Sequence, residues 1–181
     1  MSNVRSIALA SAIKSHLGSG DTFEKVCEDQ TYSATSILEI NEAGDLTKYL
    51  QKFPGYVFAA YPEVDMHALP YKDQSFDLVI HSDTLEHIEN PLHALMERSR
   101  VLKIGGSLCY PVPIVVGRMT RDRAGLKKSF HGNPVDTADD YLVHTEFGAD
   151  AWMYLVDAGF TELSIHTFKY PAGIPFSAKR V

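Results

Sequence analysis

The sequence predicts an α/β fold: a mostly parallel sheet covered by helices on both faces. Short apolar runs alternate with stretches of helical period along most of the chain, the pattern of parallel crossovers. The apolar runs end in clusters of polar residues, as strands do when their carboxyl ends border a ligand cleft. At 181 residues, 45% apolar and 22% charged, the chain suits a single domain, 1–181, with a sizeable core.

The elements follow in order. "MSNVRSIALASAIKSHLG" reads as an amphipathic surface helix with Val4, Ile7, Ala8 and Leu17 inward. Its apolar stretch is short and Lys14 interrupts it, which argues against a leader peptide. It belongs to an N-terminal helical segment, 1–35. "SILEI" (36–40) is a short buried strand. "GDLTKYLQKF" spaces Leu46, Leu50 and Phe53 as a helix that Pro54-Gly55 ends. "YVFAAY" (56–61) is a second strand, and "FDLVIH" (76–81) a third after the turn-forming "YKDQS". Pro91 starts a helix with Leu92, Leu95, Met96, Ser99 and Leu102 on or near one face. Gly105-Gly106 stops it, and "SLCYPVP" is a fourth strand. Residues 114–146 read as mostly irregular, a lid or substrate loop. "GADAWMYLVDAG" is a helix with a glycine C-cap, and "TELSIHTFKY" is the closing strand.

Charge and composition exclude several classes. The net charge of −6 argues against nucleic acid as the main partner. Cys27 and Cys109 are too few for a disulfide framework and lack metal-site spacing, which fits a reducing, cytoplasmic location. No apolar run approaches the roughly 20 residues that cross a bilayer, so no membrane partner is expected.

One stretch carries a family signature. "DMHALPYKDQSFDLVIHSDTLEHIENPLHALMERSRVLKIGGSLCYPVP" resembles the middle of class I S-adenosylmethionine-dependent methyltransferases, and more narrowly the small-molecule, type 11 branch. That pattern runs D-x-x-x-L-P-F, S-F-D-x-V, L-E-H, R-V-L-K-P-G-G and then a strand. The match spans about residues 37–113, and "LVDAGFTELSI" resembles the family's late helix and strand. The resemblance implies a three-layer Rossmann-like methyltransferase sheet with S-adenosyl-L-methionine as cofactor. Asp65 would accept the adenine amino group, and the Met66 amide would face an adenine ring nitrogen. His81, Ser82 and Asp83 would lie under the methionine moiety, with His87 on the substrate side.

The departures are as informative. Where the family has a glycine-rich loop, this chain has "ILEINEAGDL". Asn41, Glu42 and Gly44 would be a degenerate cofactor loop or a tight turn without ligand. Glu42 could repel the cofactor carboxylate or bind its ammonium group. Glu39 could face that ammonium or pair with a neighbouring base. Only residues 45–64 separate Gly44 from Asp65, room for one helix and one strand, so one strand–helix unit is expected to be missing. The acid that usually binds the ribose has no clean equivalent, and Glu63 is the nearest candidate.

"GRMTRDRAGLKKSFHGNP" sets Arg118, Arg121, Arg123, Lys127 and Lys128 against Asp122 alone. It reads as solvated surface or as a lid that binds an anionic acceptor. His131, Tyr141 and Glu146 are further candidate substrate contacts. His87 and His144 are the candidate bases for an acceptor that must lose a proton. His81, Asp83 and His87 have metal-ligand chemistry, but the same set occurs in the family pattern without metal, and none is expected. The function expected is methyl transfer to a small, anionic or glycan-related molecule. The alternative is an inactive methyltransferase-like binding or assembly module. A shortened sheet would expose an edge that could form a homodimer.

Overall fold

The computed structural model describes residues 3–131 and 139–181. In chain order its elements are α1 (Val4–Leu17), α2 (Phe23–Glu28), β1 (Ser36–Ile40), α3 (Thr47–Leu50), β2 (Gly55–Ala59), β3 (Phe76–His81), α4 (Pro91–Val101), β4 (Leu102–Pro111), β5 (Arg121–Asp122), β6 (Thr145–Glu146), α5 (Met153–Asp157), β7 (Glu162–Ile165) and β8 (Pro175–Lys179). Six strands form one sheet in the order β2-β1-β3-β4-β8-β7. The first four run parallel, and β8 is antiparallel to both its neighbours. The four strands read from the sequence are side by side, in a sheet smaller than the family's usual seven strands.

Alternating side chains divide the core into two layers. Ile37, Leu78, Ile80 and Cys109 pack against α1 and the short helical turns around Leu46 and Leu50. Leu38, Ile40, Val79, Leu108 and Tyr110 pack against Ala94 and Leu95 of α4 and Leu155 of α5. Burying both faces requires apolar residues at successive strand positions, which is why these strands read as continuous apolar runs.

Four expectations need correction. The inward face of α1 is Ala8, Leu9, Ala12 and Ile13, and Ile7 is exposed, because both β4 and β8 draw the helix onto that stripe. The α4 helix ends at Val101, and Gly105-Gly106 lie inside β4, where the register against β3 shifts. Arg98 of α4 is fully buried and Met96 is half exposed, so the helix is turned from the face its leucines suggested. The closing strand is joined by an unforeseen one, β8, whose Phe176 and Ala178 alternate into the core.

The missing unit is explained by residues 60–75. They connect β2 to β3 across β1 without a helix or strand. Such a stretch needs partners for its backbone groups. Side chains of α4 provide them. Glu97 accepts from the Leu69 amide at 3.0 Å, and Arg100 donates to the Leu69 and Tyr71 carbonyls at 2.9 and 2.8 Å. His93 Nε2 donates to the His67 carbonyl at 3.0 Å. Met66 and Leu69 are buried beneath the connection.

Candidate active site

A cleft of about 1080 Å³ opens at the carboxyl ends of β1, β2 and β3. This is where parallel sheets of this kind hold ligands. Local backbone geometry sets its rim. Asn41, just past β1, has φ 56° and holds the chain to β2 through its amide on the Ala59 carbonyl at 2.8 Å. Its side-chain oxygen accepts from the Tyr61 amide at 3.2 Å. Asp83, just past β3, is also left-handed at φ 47°. Asn and Asp tolerate this region better than other side chains that carry a Cβ.

One half of the cleft is lined by Asn41, Asp65, Met66, Ser82 and Asp83. Asp65 Oδ1 accepts from the His67 amide at 2.8 Å and faces His67 Nδ1 at 3.0 Å. The backbone bond holds its carboxyl below the usual range. Among the described residues Asp65 Oδ2 has no hydrogen bond. Asp83 pairs with Arg5 Nη1 at 2.9 Å, and burial, with Glu86 close by, pushes its carboxyl up. Arg5 comes from α1, and no sequence signal connected it to the β3 edge.

Other expected cofactor residues are placed elsewhere. Glu39 is fully buried, accepting from the Ala43 amide (2.7 Å), Thr47 Oγ1 (2.6 Å) and the Tyr56 hydroxyl (2.5 Å). It organises the turn after β1 from inside and does not line the cleft. Glu42 and Glu63 are exposed outside the lining. Gly44, at φ 61°, packs so that a Cβ would come 3.2 Å from Ser6 Oγ; it seats α1 against the turn. His81 is fully buried, with its ring stacked on Tyr110 at 4.5 Å. Burial and then Arg98 hold it well below the ordinary histidine value, so it stays neutral.

The other half is lined by His87, Lys128, His131, Tyr141 and His144. His87 Nδ1 lies 3.1 Å from the Leu142 carbonyl, which can only accept, so Nδ1 carries the proton. The His87 and His131 rings stack at 6.1 Å, and Tyr141 meets His87 edge-on at 6.4 Å. The His144 amide donates to the Glu86 carbonyl at 2.8 Å, tying the 139–146 stretch to the β3 edge. Glu86 itself lies beneath this half, an acid inside the "LEH" motif that the sequence reading passed over.

The arginines of the expected lid do not line the cleft. Arg118, Arg121 and Arg123 converge on Glu146, with Arg121 Nε at 2.7 Å. These pairs hold the Glu146 carboxyl down at about 2, with Arg121 the largest contributor. β5 and β6 pair at this point, Arg121 opposite Glu146. The last residues of the basic stretch, 132–134, lie outside the described residues.

A mostly parallel sheet with a cleft at its carboxyl edge is the architecture in which α/β proteins of the Rossmann-like class hold their ligands. Residues 18–110, just over half of the chain, match the family model of a methyltransferase domain of the type 11 group, and the chain belongs to that family of class I S-adenosylmethionine-dependent methyltransferases. No curated protein matches its sequence. Among solved structures it is similar to a Thermotoga maritima S-adenosylmethionine-dependent methyltransferase described as a possible histamine N-methyltransferase (15% identity, TM-score 0.54, 98% of this chain and 90% of that one). It is also similar to the CurJ carbon methyltransferase (15%, TM-score 0.55, 81% and 48%). A third similarity is to a chain from a Haloferax volcanii complex of the Trm112 methyltransferase activator with a methyltransferase (14%, TM-score 0.51, 98% and 97%). At these identities the likeness is one of fold.

S-adenosylmethionine is the family's cofactor, and the cleft residues fit it. Two carboxylates, Asp65 and Asp83, stand at the rim of the cleft. The left-handed turn at Asn41 keeps the backbone close to the β2 edge.

Proposed function

We propose that the chain transfers a methyl group to a small acceptor held between His87 and the 139–146 stretch. The observation that carries this reading is the division of one cleft into a carboxylate end at Asp65 and a histidine and tyrosine end at His87, His131, Tyr141 and His144. When bound, S-adenosylmethionine supplies an electrophilic methyl on a sulfonium. The chain's residues then have three tasks. Asp65 holds the adenine amine through its open oxygen, and the Met66 amide faces the ring. Ser82 and Asp83 orient the amino-acid end. His144 takes a proton from an acceptor hydroxyl, while His87, His131 and Tyr141 wall the acceptor. Such alignment alone can supply roughly 7–11 kcal/mol of the barrier.

The acceptor is taken as anionic or glycan-related because Lys128, His131 and Tyr141 give its half of the cleft hydrogen-bond donors. Arg118, Arg121 and Arg123 serve this indirectly, by fixing the wall through Glu146. Calorimetric titration with S-adenosylhomocysteine tests the cofactor half. Screening phosphorylated, carboxylated and glycosylated metabolites with radiolabelled donor tests the acceptor half. The second reading, an inactive binding or assembly module, is favoured by the loop after β1, whose turn is held by Glu39 rather than by glycines. Absence of S-adenosylhomocysteine binding would establish that reading.

A further inference from the structure

Glu86 stands out among the described acids. It is 2% exposed, and neither of its carboxylate oxygens receives an aligned hydrogen bond among the described residues. Two imidazole nitrogens stand beside it, His131 Nδ1 at 3.4 Å and His87 Nε2 at 3.7 Å, both from Oε1. A buried carboxylate without aligned donors is costly unless a cation completes it. One donor atom from each of Glu86, His87 and His131 lies within 4.8 Å of the others.

We propose that Glu86, His87 and His131 form a binding site for one divalent first-row transition ion, of which Zn²⁺ is the type, with an open coordination position facing the cleft. The donor spacing suits such an ion. Ligands about 2.0–2.1 Å from a tetrahedral Zn²⁺ lie about 3.3 Å from one another. The two carboxylate–imidazole separations, 3.4 and 3.7 Å, are already close to that, and a small inward shift of the two imidazoles brings all three donors to it. The tautomer also suits it. Because His87 Nδ1 donates to the Leu142 carbonyl, Nε2 presents its lone pair toward Glu86, and a histidine ligand is usually oriented by such a second bond. Two imidazoles and a carboxylate are a borderline donor set, selective for transition ions over Mg²⁺ or Ca²⁺. His87 and His131 line the cleft while Glu86 sits behind them, so the uncoordinated side of the ion points to the acceptor space.

The site was not foreseen from the sequence. Glu86 and His87 are adjacent, but His131 arrives from the basic stretch more than forty residues later, and only folding stacks it on His87. The proposal stands on this geometry and does not depend on the methyl-transfer reading.

Chelator-treated protein should bind one Zn²⁺ per chain in a calorimetric titration, with no comparable heat from Mg²⁺. Co²⁺ in its place should give the strong visible absorption of a low-coordinate site. His131→Ala, at a half-exposed position that tolerates truncation, should lose this site by about 100-fold or more, at or beyond the upper end of the loss typical of an outer-shell partner. Glu86→Gln should do the same in a variant shown to be folded by circular dichroism. His166→Ala, a histidine bonded to Ser177 on the far part of the sheet, should bind like wild type. The proposal is overturned by wild-type protein that takes up no stoichiometric Zn²⁺, by equal heats from Mg²⁺, or by His131→Ala binding Zn²⁺ as wild type does.

Discussion

At Asp65 one carboxylate oxygen is committed to its own turn, through the His67 amide, and the other is open to the cleft. That division lets a short acidic turn both hold its shape and take a ligand amine. Asp65→Ala should weaken S-adenosylhomocysteine binding by about 0.5–1.5 kcal/mol, the net worth of one hydrogen bond at a half-exposed carboxylate. This is about 2- to 12-fold in dissociation constant at ~1.4 kcal/mol per tenfold. Unchanged binding by a folded variant would remove Asp65 from the adenine role. Glu146 makes a separate prediction. Its folded-state pKa, about 2, lies below the ordinary 4.5, so the charged form is what folding favours. Its contribution is therefore fully present above about pH 4.5 and is lost as pH falls toward 2. Glu146→Gln should be less stable than wild type at pH 7 by about 1–3 kcal/mol. In denaturant melts taken at falling pH, that gap should close across this window. A gap that stays constant would mean that the arginine cluster does not act through the Glu146 charge.

At the scale of elements, the 60–75 connection shows how a deletion is tolerated. A strand–helix unit would have satisfied its own backbone. Its replacement borrows Glu97, His93 and Arg100 from the adjacent face of α4. Arg100 also pairs with Asp73 and Glu97, so one guanidinium fixes both ends of the turn that follows Asp65. Charge-assisted bonds of this kind contribute about 1.5–3 kcal/mol each, less where solvent reaches them. Arg100→Ala should lower stability by about 2–3 kcal/mol. It should also loosen S-adenosylhomocysteine binding several-fold although it touches no ligand. Loss of stability with unchanged affinity would show that the Asp65 turn is held by β2 and β3 alone.

For the whole molecule, the deletion leaves β2 at the edge of the sheet. Among the described residues no strand lies beyond it; β2 is buried fully only at Ala59, and Phe58 and Tyr61 are exposed. An unprotected edge with apolar neighbours is a pairing surface. A homodimer formed there should appear in sedimentation equilibrium, and Phe58→Lys should return it to monomer without lowering the melting temperature by more than a few degrees. A wild-type monomer at all concentrations would remove this expectation. Among the described residues no helix is long and apolar enough to cross a membrane.

The strands β1 to β4, the helices between them and the shortened sheet were legible because burial on both faces forces continuous apolar runs, and helices force their own period. Asp65, Ser82 and Asp83 were legible because strand ends deliver residues to the cleft from local sequence alone. What the sequence could not decide is which polar residues spend their charge on the protein itself. Glu39 was expected near a ligand and is consumed by Ala43, Thr47 and Tyr56. Arg118, Arg121 and Arg123 looked like a free basic surface and close on Glu146. His81 lies one residue from the cleft and faces the core, because adjacent strand positions point to opposite sides. Arg5 on Asp83, and His131 above Glu86, join segments that are distant in the chain. A residue's type fixes what chemistry it can do, but its partner is set by tertiary packing, and the partner decides whether a charge is available to a ligand.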